Sequence, residues 1–177
     1  MSGQAALFVV AWASRSGAAF RGFRIPGFVN LKQLAVPLTL KVWQDPQGDV
    51  VLQHSREGCK ISFACWEDAG EPADYICTLV FVHAWAARAV NSEFLPFEIH
   101  EPQRSCIYEV KDSEWLIALS KERSCCYPEW RKWDKRSYHH YVVQGHDNYC
   151  EVLAAGFVER IVSRDEAREL ARLIDES

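Results

Sequence analysis

The longest apolar run of the chain, residues 74–90, most limits what the chain can fold into. β-Branched residues such as Ile76, Val80 and Val82 favour a strand at least as far as His83. The alanine-rich remainder either continues the strand or changes to a helical turn. No apolar run approaches the 18 residues of a membrane-spanning helix, so we expect no contact with a membrane. The run therefore predicts a strand in a buried sheet.

Shorter segments on either side carry further strand patterns. Residues 37–44 alternate apolar and polar side chains, and the turn sequence DPQGD joins them to residues 49–55. This pattern predicts a β-hairpin. Residues 60–66 and 105–110 are additional strand candidates. Two segments instead have helical periodicity, at about 112–124 and at 163–175.

The order of these elements decides between parallel and antiparallel sheets. Strands come first, followed by a helix, a hairpin and a second helix, so few helices are available to connect parallel strands. We therefore predict a single α+β domain over residues 34–177, with a mainly antiparallel sheet and the two helices packed on one face. Asp112 or Ser113 is expected to cap the first helix.

Residues 1–33 differ from the rest of the chain in composition. They are rich in glycine and arginine and, together with the residues up to 44, contain no acidic side chain. We interpret them as a partly flexible N-terminal extension. A targeting segment is the alternative, because residues 5–13 are apolar and the arginines are typical of transit peptides.

Charge and cysteine content exclude some classes of protein. Five basic residues in the acid-free first 44 leave −9 for the remainder, given a total of −4. An acidic body does not favour general nucleic-acid binding.

The seven cysteines are odd in number and include no CxxC pair, which predicts reduced thiols and a cytoplasmic protein. The neighbours Cys125 and Cys126 are either redox-active or two thiols at a helix end.

A second hairpin pattern, residues 137–157, concentrates groups that could perform chemistry. Two strand-like segments flank the turn sequence GHDN. Convergence of His140, His146 and Glu151 would create a zinc or iron site with an open position, or the centre of a hydrolase. The alternative is a half-buried His140 and a Glu151 that pairs with a cation. Because the spacing matches no metal motif, we expect neither metal nor cofactor.

Arg88 lies within the apolar run and needs a partner if it is buried. Glu93, Glu109 and Glu151 are the carboxylates considered for an ion pair. The alternatives are an arginine that points to solvent and an arginine that binds an anionic ligand in a pocket.

The segment 127–138 alternates basic and aromatic side chains. Tryptophan, tyrosine and arginine are common at the centres of protein interfaces, and the same mixture can bind single-stranded nucleic acid. A surface loop anchored to the core by its tryptophans is the third interpretation. With the tip of the second hairpin, the segment supplies the candidate binding residues Trp130, Arg131, Trp133, Arg136, Tyr138, His139 and Asp147.

Together these patterns favour a non-catalytic domain that binds another protein. A metal-dependent or hydrolase-type enzyme that uses His140, His146, Glu151 and Arg88 is one alternative. Nucleic-acid binding through residues 127–138 is the other, although the acidic body makes nucleic acid the less favoured partner.

Overall fold

A computed structural model describes residues 33–56, 58–67, 70–99 and 106–166. In these ranges the chain forms two β-sheets and a few short helices. The N-terminal extension up to residue 32 lies outside the described residues. So does most of the second predicted helix, of which residues 164–166 are helical after Ser163, whose hydroxyl accepts a hydrogen bond from the Glu166 amide.

The strands are numbered in chain order and assigned to two sheets. Sheet A has the order β6-β10-β9-β8-β1-β7, and sheet B has the order β11-β5-β4-β2, with β3 also paired to β4. Among the described residues, β1 pairs with β7 in parallel and the other pairings are antiparallel. The strands are β1 (Gln33–Pro37), β2 (Trp43–Gln44), β3 (Val51–Ser55), β4 (Gly58–Trp66), β5 (Pro72–Val82), β6 (Ala86–Asn91), β7 (Phe97–Ile99), β8 (Ile107–Val110), β9 (His139–Gln144), β10 (Asn148–Ala154) and β11 (Gly156–Ser163).

The described helices are short. Helix α1 (Glu114–Cys126) begins as predicted, with the Ser113 hydroxyl accepting a hydrogen bond from the Leu116 amide. Helix α2 (Trp130–Trp133) is a single turn, and Ser92–Phe94 form a 3₁₀ turn.

The predicted fold class, one sheet with two helices packed on one face, is wrong. The described part of the chain is mostly strand and forms two sheets. Alternation of apolar and polar residues shows that a strand has one buried face, but not which element covers it. Here a second sheet covers the face that we assigned to helices.

One apolar core joins the two sheets. Ile61, Leu79 and Phe81 from sheet B belong to the same buried cluster as Val143 and Val152 from sheet A. The inward side chains of the two sheets therefore face each other, as in a β-sandwich.

Over the described residues the chain crosses between the sheets three times, and the second and third crossings are neighbours. It leaves sheet B after β5 through His83, which has a positive φ of 51°, and it returns to sheet B between β10 and β11. The Trp85 amide donates to the Leu153 carbonyl, and the Ala155 amide donates to the Val82 carbonyl. Residues 74–90 are thus two strands joined at a corner. Strand β11, which the sequence patterns did not predict, forms the edge of sheet B.

Strands β9 and β10 are buried on both faces. Opposite the shared core, Val142 and Tyr149 belong to a second, smaller cluster with Phe97, Tyr108 and Val110. Two-sided burial explains why this hairpin is almost continuously apolar in sequence. His140 and Glu151 lie on the same face as the smaller cluster, because they alternate with the residues that face the shared core.

The second hairpin, β9–β10, forms as predicted, but the first does not. Strands β2 and β3 both pair with β4, one after the other along the same edge. Between them the Val50 amide donates to the Asn148 side chain, which in turn donates to the Val50 carbonyl. The tip of the β9–β10 hairpin therefore satisfies backbone groups that a β2–β3 hairpin would have paired.

Gly145 at this tip has no room for a side chain. A Cβ atom there would lie 2.8 Å from the Val50 amide nitrogen and 2.7 Å from Oδ1 of Asn148. We expect Gly145→Ala to lower the free energy of unfolding by about 1–3 kcal/mol, because the backbone of the neighbouring segment must move. Gly156→Ala is the matched control, since a Cβ at Gly156 meets nothing within 4 Å. Urea unfolding compares the two variants, and equal losses would contradict this steric explanation.

Candidate functional site

Chemically reactive side chains gather in two places. One is a buried ion cluster on sheet A around Glu151, and the other is a groove beside the corner between β5 and β6.

The buried ion cluster is centred on Glu151, whose side chain is 0% exposed. Arg88, directly opposite on β6, binds both carboxylate oxygens at 2.8 Å through Nε and one terminal nitrogen. The Arg88 guanidinium also lies 4.4 Å from the ring centre of Trp115. Of the three carboxylates considered for Arg88, the one bound is therefore Glu151.

His140 is the third member of the cluster. Its Nε2 lies 2.9 Å from Oε2 of Glu151, a close polar contact, although the ring is not well aligned for a hydrogen bond. Its Nδ1 lies 2.8 Å from the hydroxyl of Ser113. Because that hydroxyl already accepts the Leu116 amide, it is free to donate its proton to Nδ1. This assignment leaves the Nε2 proton facing the carboxylate.

The electrostatics of the cluster keep Glu151 ionised. Burial by itself raises the pKa of the Glu151 carboxyl, but its contacts with His140 and Arg88 outweigh that effect and hold the pKa below 4.5. A charged carboxylate without contact with water is therefore compensated by one guanidinium whose outer part remains exposed.

The order Ser113, His140, Glu151 resembles a nucleophile, a base and an acid. A nucleophile must also reach its substrate, and Ser113 is only 4% exposed. Its oxygen is further engaged as the N-terminal cap of α1. The geometry of the cluster is thus suited to joining the start of α1 to sheet A.

His146, the remaining candidate of the enzyme hypothesis, lies apart from His140. It is at the tip of the β9–β10 hairpin, exposed and 2.9 Å from Asp147. His140 is near the opposite end of β9. Most of the strand therefore lies between the two histidines, at a rise of roughly 3.3 Å per residue. In the described ranges, no three histidine, cysteine or acidic side chains are close enough together to hold a metal ion.

The groove has a volume of about 580 Å³ and is formed by three parts of the chain. The corner between β5 and β6 supplies Trp85, the C-terminal half of α1 supplies Arg123, and the segment after α1 supplies Tyr127, Trp133 and Tyr138. The sequence patterns identified the last part but missed Trp85 and Arg123.

Arg123 holds the aromatic side chains of the groove together. Its guanidinium lies 4.6 Å from the ring centres of Trp85 and Trp130 and 5.0 Å from that of Trp133. Tyr138 stacks on Trp85 with ring centres 3.9 Å apart. Such cation–π and stacking contacts fix the rings relative to one another.

Asp134 is the buried anchor of this arrangement. It accepts contacts from Arg123 at 3.1 Å, from Arg136 at 3.1 Å and from the Tyr138 hydroxyl at 2.8 Å. Burial by itself raises the pKa of the Asp134 carboxyl. The hydrogen bonds from Tyr138 and Arg136 and the charge of Arg123 outweigh that effect and hold the pKa below its ordinary value. The floor of the groove is therefore held rigidly by charged hydrogen bonds.

Two tryptophans three residues apart have opposite environments. Trp130 is 2% exposed and its indole nitrogen donates to the Ser124 hydroxyl, whereas Trp133 is 63% exposed. Tyr127, across the start of α2, is 61% exposed. The loop is thus anchored by one tryptophan and presents the other, together with Tyr127, at the surface.

The other candidate binding residues are distributed unevenly. Arg131 stacks on Trp130 and donates to the Arg136 carbonyl beside the groove. His139 instead pairs with Glu109 at 2.8 Å, and Asp147 lies at the hairpin tip. The hairpin tip and the groove are at opposite ends of β9, so they do not form the single surface that we expected.

All seven cysteines are free thiols. Cys59, Cys65, Cys77 and Cys150 are buried, and burial raises the pKa of each thiol, to about 11 for Cys59 and Cys65. These four therefore behave as small apolar residues. The exposed pair Cys125 and Cys126 lies at the end of α1.

Comparison of the chain with protein-family models, with curated proteins and with solved structures finds no match. Across the part of the chain that the structure describes, no helix has the length and apolar character needed to cross a membrane.

Proposed function

We propose that this domain binds another protein through the groove between the β5–β6 corner, α1 and α2. One observation carries the proposal. Two large aromatic side chains, Trp133 and Tyr127, are more than 60% exposed at the edge of a groove that contains the contacts of Arg123 with Trp85 and of Asp134 with Tyr138.

Rigid presentation matters because binding requires side chains to lose conformational freedom. Trp133 and Tyr127 rotate about few bonds, and Trp133 is further restrained by its contact with Arg123. Exposed aromatic residues beside arginines have the composition of interface hot spots. The groove therefore supplies contact area at a low entropic cost.

An enzyme remains the less supported alternative. Its candidate residues divide between the ion cluster, in which His140 and Glu151 are buried, and His146 at the exposed tip. The proposal includes a cytoplasmic location, which the seven free thiols support.

We expect Trp133→Ala and Tyr127→Ala to remove a specific partner while the melting temperature stays nearly unchanged, because both side chains are mostly exposed. The immobilised variants and wild type are incubated with a lysate of the source organism, and bound proteins are quantified by mass spectrometry. Phe94→Ala is the control, since Phe94 is equally exposed but is not part of the groove.

The proposal requires at least one protein that wild type and Phe94→Ala capture and that both groove variants lose. If the captured proteins are the same for all four chains, the groove is not a binding surface. If such a protein is found, its affinity for the purified wild-type domain and for the same variants is measured by titration calorimetry.

A further inference from the structure

Charge around the groove points to the chemistry of the partner. Residues 121–136 contain six basic and three acidic side chains, whereas the whole chain has a net charge of −4. The groove therefore lies in a positive region of an acidic protein.

Two of the three acidic side chains are already neutralised by neighbours. Asp134 forms ion pairs with both Arg123 and Arg136, and Glu129 forms one with Lys132. The third, Glu122, lines the groove and is exposed.

Three cations remain in excess over these pairs. Lys121 and Lys135 are exposed and have no acidic partner among the described residues, and Arg131 donates to a backbone carbonyl. A partner with carboxylates would satisfy this excess without displacing the internal pairs.

From these charges and the exposed rings, we infer that the partner presents an acidic segment with a large apolar anchor residue. The inference rests on the proposed function of the groove. The anchor contacts Trp133 and Tyr127, and neighbouring carboxylates face the excess cations Lys121, Lys135 and Arg131. A groove of about 580 Å³ is large enough for such an anchor. Complementary charge accelerates association and sets specificity, while the buried anchor supplies most of the affinity.

A protein segment fits these observations better than a nucleic acid. Single-stranded nucleic acid binds by stacking successive bases on open ring faces along a basic track. Trp85 has Tyr138 on one side and Arg123 close to its ring, which leaves Trp133 and Tyr127 as the large aromatic rings that the groove exposes. Outside residues 121–136 the chain is net acidic and would repel an extended phosphate backbone.

The test uses fluorescently labelled polymers of known chemistry. The probes are a glutamate-rich copolymer of glutamate and tyrosine, a lysine-rich copolymer of lysine and tyrosine, and single-stranded oligothymidylate. Binding to the full chain is measured by fluorescence anisotropy at low and at physiological salt. We expect the glutamate–tyrosine copolymer to bind most tightly and to weaken as salt increases.

Charge reversal locates the effect. Lys121→Glu with Lys135→Glu should weaken binding of the glutamate–tyrosine copolymer by on the order of tenfold at low salt. Lys60→Glu with Lys41→Glu reverses two exposed lysines outside the basic segment 121–136 and should have a much smaller effect. Circular dichroism confirms that each variant is folded.

The possible outcomes separate the inference from the proposed function. Equal binding of both tyrosine copolymers, with loss on Trp133→Ala, overturns the acidic partner but supports the groove as a protein-binding site. Tighter binding of oligothymidylate than of the glutamate–tyrosine copolymer overturns the inference in favour of a nucleic acid. No binding of the acidic copolymer at low salt also overturns it, and the lysate comparison then decides the proposed function independently.

Discussion

Replacing Arg88 with methionine should destabilise the protein by about 3–5 kcal/mol at neutral pH, because it leaves a buried carboxylate without its guanidinium. Glu151→Gln should be milder, at about 1–2 kcal/mol, because the Arg88 it leaves behind is half-exposed and can be solvated by water. Methionine retains an unbranched stem to pack against Trp115. Urea unfolding of both variants measures the difference.

The same pair predicts a dependence on pH. The pKa of Glu151 is below 4.5 in the folded state, so its ionised form stabilises the fold fully above about pH 4.5. This stabilisation is lost as the pH falls through the folded-state pKa. The deficit of Arg88→Met should therefore shrink as the pH falls and be smallest below the folded-state pKa of the wild type, where Glu151 is protonated in both proteins.

A double variant provides the control. Arg88→Met combined with Glu151→Gln should be more stable than Arg88→Met alone, because no buried charge remains. If Arg88→Met is no more destabilising than Glu151→Gln at neutral pH, the pair does not neutralise a buried charge.

Trp130→Ala should lower the free energy of unfolding by about 3–5 kcal/mol, as expected when a large buried side chain is removed. Trp130 contacts Trp85 and Arg123 and donates to Ser124, so its loss opens a cavity beneath the groove. Trp133→Ala is the matched control on the same helical turn, and its free energy of unfolding should fall by less than about 1 kcal/mol. Urea unfolding followed by circular dichroism compares them.

A large loss of unfolding free energy in both tryptophan variants would mean that Trp133 is also part of the core. A small loss for both would mean that α2 is not anchored by Trp130. Either result would contradict the division between an anchoring and a presented tryptophan on which the proposed function depends.

Local sequence patterns were sufficient for elements stabilised by nearby residues. The start of α1 follows from the Ser113 cap, and the β9–β10 hairpin follows from its two strand-like segments and the polar turn between them. The failed hairpin between residues 37–44 and 49–55 shows the limit. Its strands and turn residues are present, but both strands find a better partner in β4.

The candidate sites divide in the same way. The aromatic and basic character of residues 127–138 is visible in the sequence, but Trp85 and Arg123 reach the groove from separate elements. The choice of Glu151 over Glu93 or Glu109 for Arg88 required the pairing of β6 with β10. A carboxylate that is distant along the chain becomes a neighbour only through strand register.

Residue type and spacing determined where strands can form, where α1 begins and which segment has binding chemistry, because these depend on contacts within a few residues. Only the tertiary structure decided that two sheets share one core, that Glu151 is buried beside Arg88 and His140, and that Trp130 is covered while Trp133 is presented. Those outcomes depend on burial and pairing between residues far apart in sequence, which no local pattern specifies.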